Sequence, residues 1–104
     1  MESTMPSTPL TENEIAERLR QLNGWQREGG MITKTFTLDS YTAGLALAAA
    51  VGVIAEGLNH HPDLHIGYKK VTVSFTTHDA GSALTDKDFA AAAAIDGLNF
   101  PRSK

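Results

Sequence analysis

All four histidines of this chain, His60, His61, His65 and His78, lie between positions 60 and 78, and the remaining residues include none. Histidine is the one side chain that titrates near neutral pH without any tuning by its surroundings. Several imidazoles that meet in one cleft can therefore donate and accept protons within a single reaction. The sequence thus predicts general acid–base chemistry in this part of the chain.

Nearby residues are placed to give these imidazoles different roles. Glu56 precedes His60 by one helical turn, so we expect its carboxylate to hold His60 in one tautomer and raise its basicity. His60 and His61 follow a predicted helix, whose C-terminal dipole favours imidazolium. Neighbouring residues of an extended chain point to opposite sides, so His61 should project differently from His60. His78 follows a predicted strand on its hydroxyl-bearing side, where it is open to a ligand.

Each of these features also has a purely structural interpretation. A histidine at a helix C-terminus commonly satisfies the helix dipole, and Pro62 stops a helix. Glu56 can be a solvated surface charge, and Asp88 is first of all a helix-capping residue. Tyr68 and Trp25 can be core or interface aromatics. The functional interpretation therefore depends on the joint pattern and not on any one residue.

Several other classes of site are disfavoured by the sequence. Three imidazoles could hold zinc, but the His-His-x3-His spacing matches no strong ligand signature and the chain has no cysteine. No serine nucleophile elbow, glycine-rich phosphate loop or dinucleotide fingerprint is present. The formal net charge of -3 gives no basic field, which argues against direct binding of nucleic acid.

The length of 104 residues, with 41% hydrophobic and 20% charged residues, predicts one small globular domain. We expect a flexible N-terminal tail over 1–10 without signal-peptide character, a single domain over 11–100 and a C-terminal tail over 101–104. The apolar stretch over 43–55 is well short of the roughly 20 residues that a bilayer span needs. With the lack of cysteine, this predicts a cytoplasmic protein without membrane contact.

The local signals alternate between helix and strand. Capping signatures at Thr11 and Thr85 predict helix starts, Gly29 and Gly30 predict a hairpin turn, and Asp39 is the candidate N-cap of the second helix. The predicted elements are a helix over 12–22, strands over 25–28 and 31–37, a helix over 40–58, two strands within 64–77 and a helix ending near 99. This order predicts an α+β fold, a four-stranded antiparallel sheet with three helices packed on one face.

The segment Glu56-Gly57-Leu58-Asn59-His60-His61-Pro62, followed by Tyr68, His78 and Asp88, resembles the signature of the pterin-4a-carbinolamine dehydratases. Asn23-Gly24-Trp25 is similar to the Gly-Trp start of that family's first hairpin, and Thr76-Thr77-His78 to its Ser/Thr-Thr-His. The resemblance covers the whole chain apart from its ends. It implies a hydro-lyase that removes water from 4a-hydroxytetrahydropterin to give quinonoid dihydropterin, in pterin recycling beside an aromatic amino acid hydroxylase.

The resemblance also implies roles for single residues. It makes three imidazoles catalytic, those of His60, His61 and His78. Of these we expect His61 to be the main acid–base group, with His60 and His78 as orienting or second proton-transfer partners. It gives supporting or substrate-contacting roles to Glu56, Pro62, Tyr68 and Asp88, the last aligned in preference to Asp86. It implies no metal and no organic cofactor. It further implies a homodimer or homotetramer, formed through sheet edges and the small-residue face of the second helix. The alternative is a non-catalytic binding module that organises a partner protein or acts as a transcriptional cofactor.

Overall fold

The alternation of Val71, Val73 and Phe75 with Thr72 and Ser74 predicts a strand with one buried face. The computed structural model describes residues 8–98 and has these three apolar side chains fully buried. Its elements, in chain order, are α1 (Glu12–Arg20), β1 (Gln26–Glu28), β2 (Met31–Thr37), α2 (Tyr41–Leu58), β3 (Asp63–Ile66), β4 (Lys70–Phe75) and α3 (Asp86–Asp96). A 3-10 turn over His78–Ala80 lies between β4 and α3. The predicted order of helices and strands is confirmed.

Within the described residues the strands form one four-stranded antiparallel sheet, which confirms that prediction, and their order is β1-β2-β4-β3. In the β3–β4 pair, Asp63 lies opposite Ser74 and Ile66 lies opposite Val71. The start of β3 is therefore beside the end of β4. As a result, the segment that enters β3 and the segment that leaves β4 meet at the same end of the sheet.

The two faces of the sheet differ in chemistry. One face carries the core, against which α2 packs with Leu47, Val51 and Ala55. The opposite face, which we call the open face, presents hydroxyls that bond to one another between strands, through Thr35 with Thr72 at 2.9 Å and Ser74 with Thr33 at 3.0 Å. Because paired hydroxyls are compatible with water, this face needs no apolar cover.

The helix starts follow from capping, with one difference from the sequence prediction. Capping boxes open α1 at Thr11 and α3 at Thr85, as predicted. The N-cap of α2 is Ser40, whose Oγ accepts from the Ala43 N–H at 3.1 Å, so the prediction of Asp39 was wrong. Asp and Ser can both cap a helix. The N–H of the buried Leu38 bonds to the Lys69 carbonyl and fixes where the chain leaves the sheet, and this places Ser40 at the capping position.

Helix ends and chain ends differ slightly from the predicted bounds. The first helix ends at Arg20 instead of 22, within the usual variation at helix ends. The last helix ends at Asp96, and the predicted end near 99 lies outside the described residues, as do the predicted tail over 101–104 and most of the tail over 1–10. Leu10, at the end of that N-terminal segment, donates its N–H to the Leu84 carbonyl at 2.9 Å and packs against the core.

Among the described helices, α2 alone is apolar and long enough by composition and length to cross a membrane, with 18 residues and a mean hydropathy of 1.6. Core helices of globular domains can have the same properties. The Leu47, Val51 and Ala55 side chains of α2 are buried between the helix and the sheet. Its place in this domain is thus that of a core helix with one face left exposed.

Polar contacts tie the first hairpin to the helices. The Trp25 Nε1–H donates to the Asp96 carboxylate at 3.1 Å, and the Lys34 ammonium reaches the same carboxylate at 2.9 Å. The Arg27 guanidinium pairs with Glu12, and this hydrogen bond together with the positive charge lowers the pKa of the Glu12 carboxyl. These contacts fix β1 and β2 relative to α1 and α3.

Candidate active site

The end of α2 determines where the adjacent histidines point. Asn59 caps the helix in the left-handed conformation, with φ of 54° and ψ of 41°. The His60 N–H still bonds to the Ala55 carbonyl at 3.1 Å, so the chain folds back against the helix end before it leaves. This reversal carries the His60 side chain inward and leaves the His61 side chain at the surface.

The His60 imidazole is held between a carboxylate and an aromatic ring. Its side chain is 11% exposed, and its Nε2 lies 2.7 Å from Oδ1 of Asp88. The ring stacks on Phe75, with 5.8 Å between ring centroids and an interplanar angle of 8°. Both contacts restrict rotation of the ring, so His60 is fixed in place before any ligand binds.

The Asp88 carboxylate is fully buried and serves two purposes. Its Oδ2 accepts from the Thr85 N–H at 2.9 Å, which completes the capping box at the start of α3. The same oxygen accepts from the Thr77 hydroxyl at 2.8 Å. Because Oδ1 faces His60, one side chain joins the start of α3, the segment after β4 and the segment after α2. The capping function predicted for Asp88 is present, and the contact with an imidazole is added to it.

Glu56 pairs with His61 and not with His60. The Glu56 Oε1 lies 2.7 Å from His61 Nε2, with the two side chains 80% and 58% exposed. The expectation that Glu56 orients His60 was wrong, because it assumed that helical spacing continues past Leu58. The left-handed Asn59 breaks that spacing, so that His61, and not His60, lies over the last helical turn.

His78 lies at the same end of the sheet. The strand β4 ends at Phe75, and burial continues to alternate beyond it, so that Thr77 is buried while His78 is exposed at the start of the 3-10 turn. Thr77 and His60 bond to the two oxygens of one carboxylate. His78, as the neighbour of Thr77, is therefore carried to the end of the sheet where His60 and His61 lie.

The other residues singled out in the sequence are placed differently. Pro62 is half-buried and leads directly into β3. Tyr68, 74% exposed, lies beyond the far end of β3, a strand that spans about 13 Å, with the Lys69 ammonium 5.3 Å from the centre of its ring. Asp86 pairs with Arg18, so it is Asp88 and not Asp86 that meets an imidazole. Within this chain, Tyr68 is thus separated from His60, His61 and His78.

Some residues of this arrangement were not identified from the sequence. Thr77, Thr85 and Phe75 each contact Asp88 or His60, and the signals for them were present as a capping box and as strand alternation. Those signals indicate structure and give no hint of a shared carboxylate. In the described part of the chain, no cluster of three or more His, Cys, Asp or Glu side chains is arranged to hold a metal ion.

Two cavities of the described structure lie elsewhere. One, of about 460 Å³, lies between α1 and α3 and is lined by residues that include Arg18, Leu22 and Phe89. The other, of about 380 Å³, lies on the open face, and its lining includes the hydroxyls of Thr72 and Ser74. Neither contains a histidine, so both are separate from the candidate site.

Comparisons with known proteins cover almost all of the described residues. The sequence model of the family described as pterin 4 alpha carbinolamine dehydratase matches residues 8–98. A protein of Roseiflexus sp. (strain RS-1), provisionally named a pterin-4-alpha-carbinolamine dehydratase, is 50% identical over 92 residues, which are 88% of this chain and 98% of that protein.

Two solved structures share the fold. One, described as a transcriptional coactivator/pterin dehydratase from Brucella melitensis, has a TM-score of 0.81 and 31% identity over 88% of this chain and 98% of the other. The second is described as a pterin dehydratase-like protein that is a RuBisCO assembly factor in the alpha-carboxysome. It has a TM-score of 0.59 and 25% identity over 76% of this chain and 89% of the other.

Asp88→Asn tests the anchoring role of the buried carboxylate. The side chain keeps its size but loses its charge, so the hydrogen bonds from the Thr77 hydroxyl and the Thr85 N–H become weaker. The amide can retain its bond to His60 only if that imidazole accepts at Nε2 instead of donating. We expect the free energy of unfolding to fall by about 1–3 kcal/mol. The measurement is urea denaturation at neutral pH. Asp79→Asn, at an exposed position nearby, should change stability by no more than about 0.5 kcal/mol. Equal stability of the two variants would contradict the anchoring role.

Proposed function

The chain belongs to the pterin 4 alpha carbinolamine dehydratase family, and we propose that it dehydrates 4a-hydroxytetrahydropterin to quinonoid dihydropterin by histidine acid–base catalysis. The observation that carries the proposal is the grouping of His60, His61 and His78 at one end of the sheet, with a carboxylate bonded to each of the first two. Two imidazoles in different surroundings suit a reaction that needs both a proton donor and a proton acceptor.

The proposed chemistry requires two proton transfers and no redox step. The C4a–oxygen bond breaks as the 4a-hydroxyl takes a proton from an imidazolium and leaves as water. The neighbouring ring nitrogen gives its proton to a neutral imidazole, and its electron pair forms the new double bond to C4a. In this proposal His61, exposed and paired with Glu56, is the main acid–base group. His60 and His78 are its partners, which orient the substrate or take part in the second proton transfer.

The proposed setting follows from this reaction. The substrate is the pterin product of an aromatic amino acid hydroxylase, so we place the protein in pterin recycling, in the cytoplasm. The proposed chemistry uses only the chain's own imidazoles and carboxylates, and calls for no metal and no organic cofactor.

Pro62 and Tyr68 remain proposed substrate contacts. For Tyr68, which lies beyond the far end of β3, contact with substrate would require an assembly that brings the aromatic ring of one copy to the histidines of another.

We further propose that the chain forms a homodimer or homotetramer through the exposed face of α2. That face carries Tyr41, Leu45 and Val53, all substantially exposed, and residues 41–55 include no charged side chain. Small residues such as Ala46 and Ala49 between them allow close approach of a second helix. A second copy offers the same uncharged face, as a two-fold interface requires. The edge of β3, with Ile66 exposed, is the other candidate contact.

The alternative function is a non-catalytic binding module. It is supported by the same exposed face of α2, since an apolar surface of this kind also fits a partner protein. Of the two solved structures, one is described as a transcriptional coactivator/pterin dehydratase and the other as a RuBisCO assembly factor. A well-folded protein without pterin turnover would favour this alternative over the enzyme.

His61→Ala tests the enzymatic proposal. We expect kcat for dehydration to fall by about 100-fold or more, because the main proton donor and acceptor is removed. The assay mixes purified protein with enzymatically generated 4a-hydroxytetrahydropterin and follows the absorbance of the quinonoid product above the spontaneous rate. His65→Ala is the matched control, since His65 is exposed on the open face opposite Thr72 and should leave turnover unchanged. Equal turnover in both variants would refute the assignment.

Val53→Asp tests the proposed assembly. The new carboxylate would be buried without a partner in a helix-to-helix contact, so the native mass should fall to that of a smaller assembly or the monomer. Light scattering coupled to size exclusion measures the mass, and Val53→Ala, which adds no charge, should keep the parent assembly. If Ile66→Asp alone dissociates the protein, the contact lies at the sheet edge instead. A monomeric parent protein would rule out both contacts.

A further inference from the structure

Two buried threonine hydroxyls adjoin the Asp88 carboxylate, and the proposed reaction does not use them directly. Thr77 and Thr85 are both fully buried, and their Oγ1 atoms lie 2.8 Å apart. Thr77 also donates to Asp88 Oδ2 at 2.8 Å. A buried hydroxyl needs partners for its hydrogen and its lone pairs, and in this cluster each finds them.

The hydrogen bonds between these groups can run in one direction only. A hydroxyl has a single hydrogen, and that of Thr77 is committed to Asp88. Thr77 must therefore accept the hydrogen of Thr85, whose oxygen in turn accepts from the Lys87 N–H at 3.2 Å. The Thr85 N–H also donates to Asp88 Oδ2. The result is a directed chain, Thr85 to Thr77 to Asp88, that ends on a carboxylate acting only as an acceptor.

The carboxylate offers only acceptors on both of its oxygens, and this decides which atom holds the hydrogen of its bond to the imidazole. Because Asp88 accepts, the hydrogen between Asp88 and His60 belongs to Nε2 of His60. In the neutral ring the second nitrogen, Nδ1, then carries a lone pair. Among the described residues, Nδ1 makes no hydrogen bond, and stacking on Phe75 keeps the ring from turning.

We propose that Thr77 is a positioning residue of this site, which acts through Asp88 to hold neutral His60 as the Nε2–H tautomer with Nδ1 free to accept a proton. Thr77 touches neither substrate nor the reacting atoms, and its effect passes through the carboxylate. Its neighbour in the chain is His78, so the same residue also fixes the start of the turn that carries the third imidazole. The catalytic consequence rests on the proposed dehydratase function, whereas the tautomer does not.

Thr77→Val removes the hydroxyl and keeps the shape and strand preference of the side chain. Thr77→Ser keeps the hydroxyl and should restore the parent behaviour. Thr72→Val is the matched control, because it removes a hydroxyl that bonds to another threonine at 2.9 Å on the open face, away from Asp88. Any general effect of losing one hydroxyl from the sheet appears in this control as well.

The first readout is the histidine ¹⁵N NMR spectrum at a pH where the imidazoles are neutral, with the His60 signals identified by their loss in His60→Asn. We expect the Nε2–H tautomer in the parent protein, Thr77→Ser and Thr72→Val, and a mixture with Nδ1–H in Thr77→Val. The second readout is turnover. In Thr77→Val, kcat should fall about 10-fold to 100-fold while KM changes by less than about two-fold.

The two readouts separate failure of this inference from failure of the proposed function. The NMR experiment needs no substrate, so a parent protein without turnover leaves the tautomer test intact. An Nδ1–H tautomer in the parent spectrum overturns the proposal, and this result requires no variant to fold. A fall in kcat without a change of tautomer also overturns it, since Thr77 would then have only a packing role. A shift of tautomer in Thr77→Val that is reversed in Thr77→Ser supports it.

Discussion

A buried carboxylate, that of Asp88, links the three segments on which the candidate site depends. A charge without solvent is costly unless its oxygens meet donors of good geometry. Here the donors come from the backbone at the start of α3, from the hydroxyl of Thr77 and from the imidazole of His60. The N-terminal dipole of α3 favours the same negative charge. The arrangement is therefore complete only when all three segments have folded together, which makes the site a product of the tertiary structure.

The sequence predicted the parts of this structure that depend on local patterns. Capping boxes at Thr11 and Thr85 marked helix starts, and alternation along β4 marked the buried face of the sheet. The partners of the histidines were not predictable in the same way. Glu56 was assigned to His60 by helical spacing, but the left-handed torsion of Asn59 transfers it to His61. A single backbone torsion at a helix end is set by the chain on both sides and leaves little trace in residue spacing. The contact between Asp88 and His60 was not predicted either, because the capping role of Asp88 already explained its presence in the sequence.

The candidate site and the exposed surface of α2 are separate features of one small domain. The histidines gather where α2 ends and β3 begins, whereas the uncharged face of α2 extends along the helix from Tyr41 through Val53. The two features lie in different parts of the fold. This separation offers a physical reason why one fold includes relatives described as a pterin dehydratase, a transcriptional coactivator and a RuBisCO assembly factor.

In the proposed function, a reduced pterin binds at the end of the sheet where His60, His61 and His78 lie. The direct test of this binding is a titration of the ¹⁵N-labelled protein with a stable dihydropterin, in which the ¹⁵N signals of the four imidazoles are followed. We expect saturable shifts of the signals of His60, His61 and His78, with those of His65 on the open face unchanged. Shifts confined to His65, or the absence of any shift at millimolar pterin, would contradict it.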